Sequence, residues 1–345
     1  MIQEIRIKNY LSFRDEVVLS FEATKDTTFE ECQVVNVTPK VRLLRFALIY
    51  GANASGKSNL LKAMDFLRDF WFDKKSDIDE DTGVVPFLLD TETPNEPSEF
   101  NIKFFVGDKR YWYALVLDDK QVIKEDLYVY NSVQPSLVFS RKLDGTASLI
   151  KLNANLVKSN ATIVEQLNVK CLSNMSFFAA RNQVNCSLAY IDEVRDWMKN
   201  NMMPIIEPGT RMFEYAGKQM EKNAELKAYI LDFVHKADYN ITDVYTEREK
   251  VPIPDFVKTS IMEDKDIPEK TKERMLADNA LERLRTDFQH TVKNKRGEEN
   301  YRLPNSLQSE GTKRTFGIEA AIYEAIKTNG ILPIDEIESS LHPEL

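Results

Sequence analysis

The sequence predicts an α/β fold carrying an antiparallel β layer and a helical insertion, on three observations. A short apolar run, Phe46 to Tyr50, leads into Gly51-Ala52-Asn53-Ala54-Ser55-Gly56-Lys57-Ser58 and then into apolar residues at helical spacing. From Phe100 to Tyr130, strand-like segments alternate around turn signals at Gly107-Asp108 and Asp118-Asp119. Late in the chain a second helical stripe is followed by the apolar run Ile331-Leu332-Pro333-Ile334 and the acids Asp335-Glu336.

The glycine-rich stretch has the spacing G-x-x-x-x-G-K-S between an expected strand and an expected helix, the context a phosphate-binding loop needs. Glycines let the backbone curl so that N–H groups point into one hollow, and a helix beginning near Lys57 adds its positive dipole end. Residues 51–59 are thus a candidate nucleotide site: Gly51, Asn53, Ala54, Ser55, Gly56 and Asn59 around the phosphates, Lys57 on the β- and γ-phosphates, and the Ser58 hydroxyl on Mg²⁺.

In chain order, Ile2, Ile5 and Ile7 and then Val17 to Phe21 read as two strands flanking Asn9-Tyr10-Leu11-Ser12-Phe13. Residues 24–40 are polar and contain Pro39, so a loop is expected there. Leu60, Leu61, Met64, Leu67 and Trp71 give the helix after the phosphate loop one apolar face. An acidic, proline-containing connection fills 73–97, and a hairpin is expected over 137–150 around Asp144-Gly145. Residues 153–290 read as mainly helical and irregular, with 264–290 a charged, solvated helix and prolines breaking any sustained heptad seam. We place the domain boundaries at 1–152 (phosphate loop and antiparallel layer), 153–300 (helical insertion) and 301–345 (second helix, acidic strand and the turn after it).

The last of these parts supplies the rest of a nucleotide site. Ser309-Glu310-Gly311 precedes a helix with Ile318, Ala321, Ile322, Ala325 and Ile326 on a stripe and Asn329-Gly330 as its C-cap. A serine hydroxyl and a glycine N–H at that N-terminus form either a plain cap or a second anion cradle. Asp335 is the candidate Mg²⁺ carboxylate and Glu336 the candidate base for an attacking water. An Asp-Glu pair alone would be a solvated strand end; in a chain with a phosphate loop the catalytic reading is preferred. Pro333 cannot donate to a ladder, so a local distortion or a weakened site is expected there.

The order of phosphate loop, long insertion, serine-glycine helix start, acidic strand and serine-rich turn resembles the ABC-type ATPase heads of the SMC, RecF and OLD proteins. More closely, IRIKNYLSF, GANASGKSNLL, LQSEGTKR and IDEIESSLHPEL, with weaker similarity in FVHKADYNITDV, resemble bacterial AAA-family ATPases of the ABC-like branch found in abortive-infection and phage-defence systems. The resemblance implies a P-loop NTPase head that binds ATP and Mg²⁺ and forms a homodimer around the nucleotide. Ser309 and Gly311 would then cap the γ-phosphate held by the other protomer, and Ser339-Ser340-Leu341-His342 would be the D-loop crossing the interface. It also implies an effector, either another protein or a missing C-terminal domain. Related heads continue through further strands to a switch histidine, so the expectation is a truncated sequence. Gln121 is the candidate for the glutamine loop; His235 and His290 do not replace the switch histidine.

Composition bounds the alternatives. At 345 residues and 43% hydrophobic, the chain can bury a sizeable core. No apolar run approaches a membrane span and the N-terminus has no signal-peptide pattern, so the expected location is cytoplasmic. Cys32, Cys171 and Cys186 fit neither a zinc site nor a disulfide framework. A net charge of −9 gives no global attraction to nucleic acid. Asn294-Lys295-Arg296-Gly297 lacks the aspartate of a guanine-binding motif, and the distance from Lys57 to Asp335 is too long for a compact AAA+ module. Two functions stay open: an ATPase switch in antiviral defence, and an ATP-gated DNA-binding head in repair or recombination.

Overall fold

Ile5 and Ile7 alternate with half-buried Arg6, and this period-two pattern makes β1 (Ile2–Lys8) a strand with one face in the core. In the computed structural model, which describes residues 1–237, 240–264, 267–277 and 280–339, β1 pairs antiparallel with β2 (Val17–Ser20), as the sequence suggests. Residues 24–40 differ from the expected loop. They hold a short helix, α1 (Glu30–Gln33), and lead into a hairpin of β3 (Val34–Thr38) and β4 (Val41–Leu44), with Pro39 in the turn, where its missing N–H costs no rung.

A second correction concerns Phe46 to Tyr50. No strand ladder includes this run among the described residues, and Phe46, Leu48 and Tyr50 are 57%, 53% and 83% exposed. Only Ile49 packs against the core. Apolar composition at a strand length is not sufficient for a strand; a partner backbone must lie alongside.

The helix after it matches its periodicity. In α2 (Lys57–Phe70), Leu60, Met64, Leu67 and Phe70 are buried, and Trp71 follows at the C-terminus. Beyond the 73–97 connection come five hairpin-linked strands: β5 (Ser98–Val106), β6 (Lys109–Leu117), β7 (Val122–Tyr130), β8 (Ser136–Asp144) and β9 (Ala147–Leu152). With β1 and β2 they form one antiparallel sheet in the order β2-β1-β5-β6-β7-β8-β9. Its register sets Ile102 opposite Tyr113 and Tyr113 opposite Leu127, all fully buried, so one sheet face carries the core. Helix α2 covers that face, with Phe66 stacked on Phe100 and Trp71 edge-on to Tyr113. Three further helices, α3 (Ala161–Lys170), α4 (Phe177–Arg181) and α5 (Ile191–Asn201), add Phe177 against Phe139 and Trp197 against Phe104. This compact unit comprises Met1–Ile206 and Thr328–Asp335, so its boundary falls at 206 rather than at 152.

The second unit is built from Glu207–Lys327 and the residues from Glu336 onward. It holds α6 (Met212–Lys222), α7 (Ala224–Lys236), β10 (Asp243–Pro252), α8 (Asp255–Glu263), α9 (Glu269–Ala277), β11 (Ala280–Asn294), β12 (Gly297–Pro304) and α10 (Glu310–Thr328). Most of the regular structure in 153–300 is helical, as expected, in α3 to α9, but the segment also holds strands that the sequence reading did not foresee. Strands β10, β11 and β12 form an antiparallel sheet, and the solvated helix expected over 264–290 is α9 followed by most of β11. The core of the unit joins Met220, Leu226, Ile230, Val244, Phe288 and Phe316. Asn294 to Gly297 is the β11–β12 turn, closed by Gly297 at φ 113°.

A buried ion pair fastens the first unit's sheet to the helices. Glu125 on β7 and Arg141 on β8 have no solvent exposure and lie 3.2 Å apart. Glu125 also accepts from Tyr113 Oη, Ser176 Oγ and the Phe177 amide, while Arg141 donates to Ser148 Oγ and to the carbonyls of Leu172, Ser173 and Met175. Every charge has partners, so removing one side strands the other in a low-dielectric interior. Arg141→Met is expected to lower stability by about 3–5 kcal/mol in urea unfolding; a loss under about 1 kcal/mol would show that the pair is not desolvated as its burial implies.

Candidate functional site

The phosphate-loop motif folds as its glycines require. Ser55 N–H donates to Ala52 O at 3.2 Å, Ala54 takes φ 62°, and Gly56 takes φ 94° as the left-handed N-cap of α2. A Cβ on Gly51 would lie 2.7 Å from Ser55 Oγ, and one on Gly56 2.8 Å from Ser12 Oγ and 2.9 Å from the Phe13 ring. Gly56 thus excludes a side chain, against the buried Phe13 ring and on backbone grounds as well, whereas at Gly51 the near atom is only the Ser55 hydroxyl, which can rotate away. Gly51, Asn53, Ala54 and Ser55 are exposed, while Gly56, Lys57, Ser58 and Asn59 are half-buried. The Lys57 ammonium folds back to donate to Gly51 O at 2.9 Å and Ala52 O at 3.0 Å. A cation above a helix N-terminus, beside an open loop, is an arrangement suited to a polyanion. Asn59 departs from the expected role in one respect: its Nδ2 donates to Ser12 Oγ at 2.9 Å.

Ile331 to Asp335, expected as a strand, forms only isolated parallel bridges, Ile331 with Met202 and Ile334 with Ile206, and is tied to α2 through residues 201–206. Ile331 N–H donates to Asn201 O at 2.6 Å and Met203 N–H to Ile331 O at 3.0 Å, which makes a parallel pairing. Pro333 then offers no N–H. Its carbonyl accepts from Ile206 at 3.0 Å, and Asp335 N–H donates to Ile206 O at 2.9 Å. The partner advances from residue 203 to 206 while the acidic strand advances by only two, so a bulge accompanies the proline, as the sequence led us to expect. The Ile205 amide turned out of the pairing is captured by Asp65 Oδ1 of α2 at 3.2 Å. Asp335 and Lys57 consequently belong to one compact unit.

Ser309, Gly311 and Glu336 fall in the other unit. Ser309 caps α10: its Oγ accepts from Thr312 N–H at 3.0 Å and lies 2.8 Å from Thr312 Oγ1. Of the expected stripe on α10, Ile318 and Ala321 are buried, Ile322 and Ala325 half-buried and Ile326 63% exposed, while burial runs all round the helix from Thr315 to Ala321. Asn329 at φ 52° provides the anticipated left-handed C-cap. Glu336 has φ 44°, an uncommon backbone state for a side chain of its size. Its carbonyl accepts from Arg314 Nη2 at 3.1 Å and from Ser339 N–H at 2.9 Å, and Arg314 Nη1 also donates to Pro208 O at 3.1 Å. Burial lowers the pKa of the Arg314 guanidinium, with Glu336 and Glu338 acting in the opposite sense. Of the proposed D-loop, Ser340, Leu341 and His342 lie outside the described residues. Gln121 sits at the turn between β6 and β7, where its N–H donates to Asp118 Oδ1.

Three side chains around these segments were given no role by the sequence: Asp65, and Ser12 and Arg314, which lie in the stretches IRIKNYLSF and LQSEGTKR. Each acts on residues distant in sequence, so only folding reveals it. Among the described residues, no group of three or more His, Cys, Asp or Glu side chains gathers as a metal cage. The hydroxyl of Ser58 and one carboxylate suit Mg²⁺, which binds through few protein oxygens and keeps water and phosphate ligands.

Residues 46–153 and 213–345 match the family described as AAA domain, putative AbiEii toxin, Type IV TA system. The matched blocks contain the phosphate loop, the Ser309-Gly311 helix start and the Asp335-Glu336 pair. No curated protein matches the chain. Because the family match spans more than half of its residues, the chain belongs to this AAA-domain family.

Proposed function

We propose that this chain binds and hydrolyses ATP as an ABC-type head that dimerises around the nucleotide and serves as a switch in bacterial defence against phage. The observation that carries the reading is the left-handed Gly56 at the N-terminus of α2 with the Lys57 ammonium resting on the loop carbonyls. Those two hydrogen bonds are exchangeable for phosphate oxygens, which accept a charged donor more strongly than a peptide carbonyl does. The family description, which names a putative AbiEii toxin of a type IV toxin–antitoxin system, supports the defence role.

In this reading Lys57 holds the β- and γ-phosphates, Ser58 and Asp335 hold Mg²⁺, and Glu336 accepts the proton of the attacking water. Mg²⁺ supplies charge neutralisation at the phosphates. Ser309 and Gly311 complete the site of a second copy, which requires the Ser309 hydroxyl to exchange its cap on Thr312 for a phosphate oxygen. The output passes to an effector, either a separate protein or a further domain. We place this switch in the cytoplasm; among the described residues no helix is long and apolar enough to cross a membrane.

Two substitutions separate binding from chemistry. Lys57→Ala should weaken binding of a fluorescent ATP analogue by about tenfold to a hundredfold, and unchanged affinity would remove the phosphate-loop assignment. Glu336→Gln should bind ATP normally, lose about 10²–10⁴-fold in hydrolysis, and accumulate an ATP-dependent dimer in sedimentation; turnover at the wild-type rate would eliminate Glu336 as the base.

A further inference from the structure

The turn between β1 and β2 is anchored on two sides, and one of them is the phosphate loop. Asn9 and Leu11 take φ 52° and 49°, and backbone bonds between Tyr10 and Phe13 close the turn at 2.9 and 2.8 Å. On the outer side the Asn9 carboxamide donates to the carbonyls of Thr93 and Glu96, both at 2.8 Å, and accepts from Phe87 N–H at 3.0 Å. The backbone of the turn is therefore held independently of α2. Towards α2, Tyr10 Oη donates to Lys62 O at 3.3 Å, and the Tyr10 ring packs on Phe66 with centroids 5.7 Å apart.

Ser12 and Phe13 come next, at the first turn of that helix. Ser12 Oγ accepts from Asn59 Nδ2, and both Ser12 Oγ and the Phe13 ring occupy the space a Cβ on Gly56 would need. Ser12 is exposed, whereas Phe13 is buried. An exposed serine hydroxyl adds little to a hydrophobic core, so its value to global stability is small. Its location gives it a different use. A loop left to fluctuate must be ordered when ligand binds, and that ordering is subtracted from affinity.

We infer that Ser12 is a positioning residue for nucleotide binding: anchored by the Asn9 turn, it holds Asn59 and the first turn of α2 so that Gly56, Lys57 and Ser58 present one preformed cradle. This rests on the ATP-binding reading above and adds to it a contact from outside the motif. Phe13 limits the same space but is part of the core, so Ser12 is the position at which positioning can be separated from folding.

The test is a double-substitution cycle on the whole chain, with Ser12→Ala, Asn59→Ala and the pair, read as dissociation constants for a fluorescent ATP analogue with Mg²⁺ and as thermal midpoints. Ser12→Ala is expected to weaken binding about three- to tenfold, the range of one lost hydrogen bond, with an unchanged midpoint. The double variant should then bind no more weakly than Asn59→Ala alone, because the two share one interaction. Wild-type affinity in Ser12→Ala, or losses that multiply in the pair, would overturn the inference. So would an affinity loss matched by a lowered midpoint, which assigns Ser12 to stability. Lys57→Ala serves as the control: its loss of binding beside an unaffected Ser12→Ala sinks the positioning role alone, whereas a Lys57→Ala variant that binds like the wild type sinks the ATP reading and this inference together.

Discussion

One hydrogen bond joins segments that the sequence keeps 140 residues apart: the Ile205 amide donating to Asp65 Oδ1. Asp65 projects from the helix that starts at the phosphate loop, and Ile205 belongs to the short segment paired with Ile331 to Asp335. The bond exists because the pairing is imperfect. Pro333 withholds an N–H and Pro204 withholds another on the opposite side, so the backbone bulges and an amide is left facing α2. A carboxylate is a good partner for a stranded amide, since a charge-assisted hydrogen bond satisfies it without a regular ladder. The Ile205 amide, next to Pro204 in the segment paired with the acidic run, is thus what ties that pairing to the phosphate-loop helix.

How much of this could be read beforehand follows from how local each signal is. The strands from Ser98 to Leu152 were legible because one face is buried and the other half-exposed, giving clean alternation such as Tyr111, Tyr113 and Leu115 on β6. Helix α2 was legible for the same reason at a period of 3.6. Strands β10, β11 and β12 were not. Val244 and Phe288 are buried on them, but runs such as Thr246-Glu247-Arg248-Glu249-Lys250 look like a solvated helix when only composition is weighed. The phosphate loop lay within eight consecutive residues and could be found as a motif. The contacts of Ser12 with Asn59, 47 residues away, and of Arg314 with Glu336, 22 away, carry no local pattern at all.

The unpaired run before the phosphate loop has the same physical explanation. Alanine and isoleucine at 47 and 49 alternate with Phe46, Leu48 and Tyr50, which is the pattern of a strand with an apolar outer face as well as an inner one. Such two-sided apolarity belongs to strands covered on both faces. Ile49 has found the core and the even-numbered side chains have not, so the sequence preference and the observed backbone disagree at this one element of the nucleotide site.

In the second unit, backbone strain and charge meet at Glu336. Its φ of 44° costs on the order of 1 kcal/mol or more for a side chain of this kind, so something must hold it. The Ser339 amide and the Arg314 guanidinium do so by converging on its carbonyl. Arg314 stands five residues beyond Ser309 on the helix that Ser309 caps, and the same guanidinium reaches the carbonyl of Pro208. The Glu336 backbone and the helix that Ser309 caps are therefore not independent variables: one partly buried cation couples them. A lysine would not substitute, because a single ammonium cannot span the divergent carbonyls that the planar fork of Arg314 serves at once.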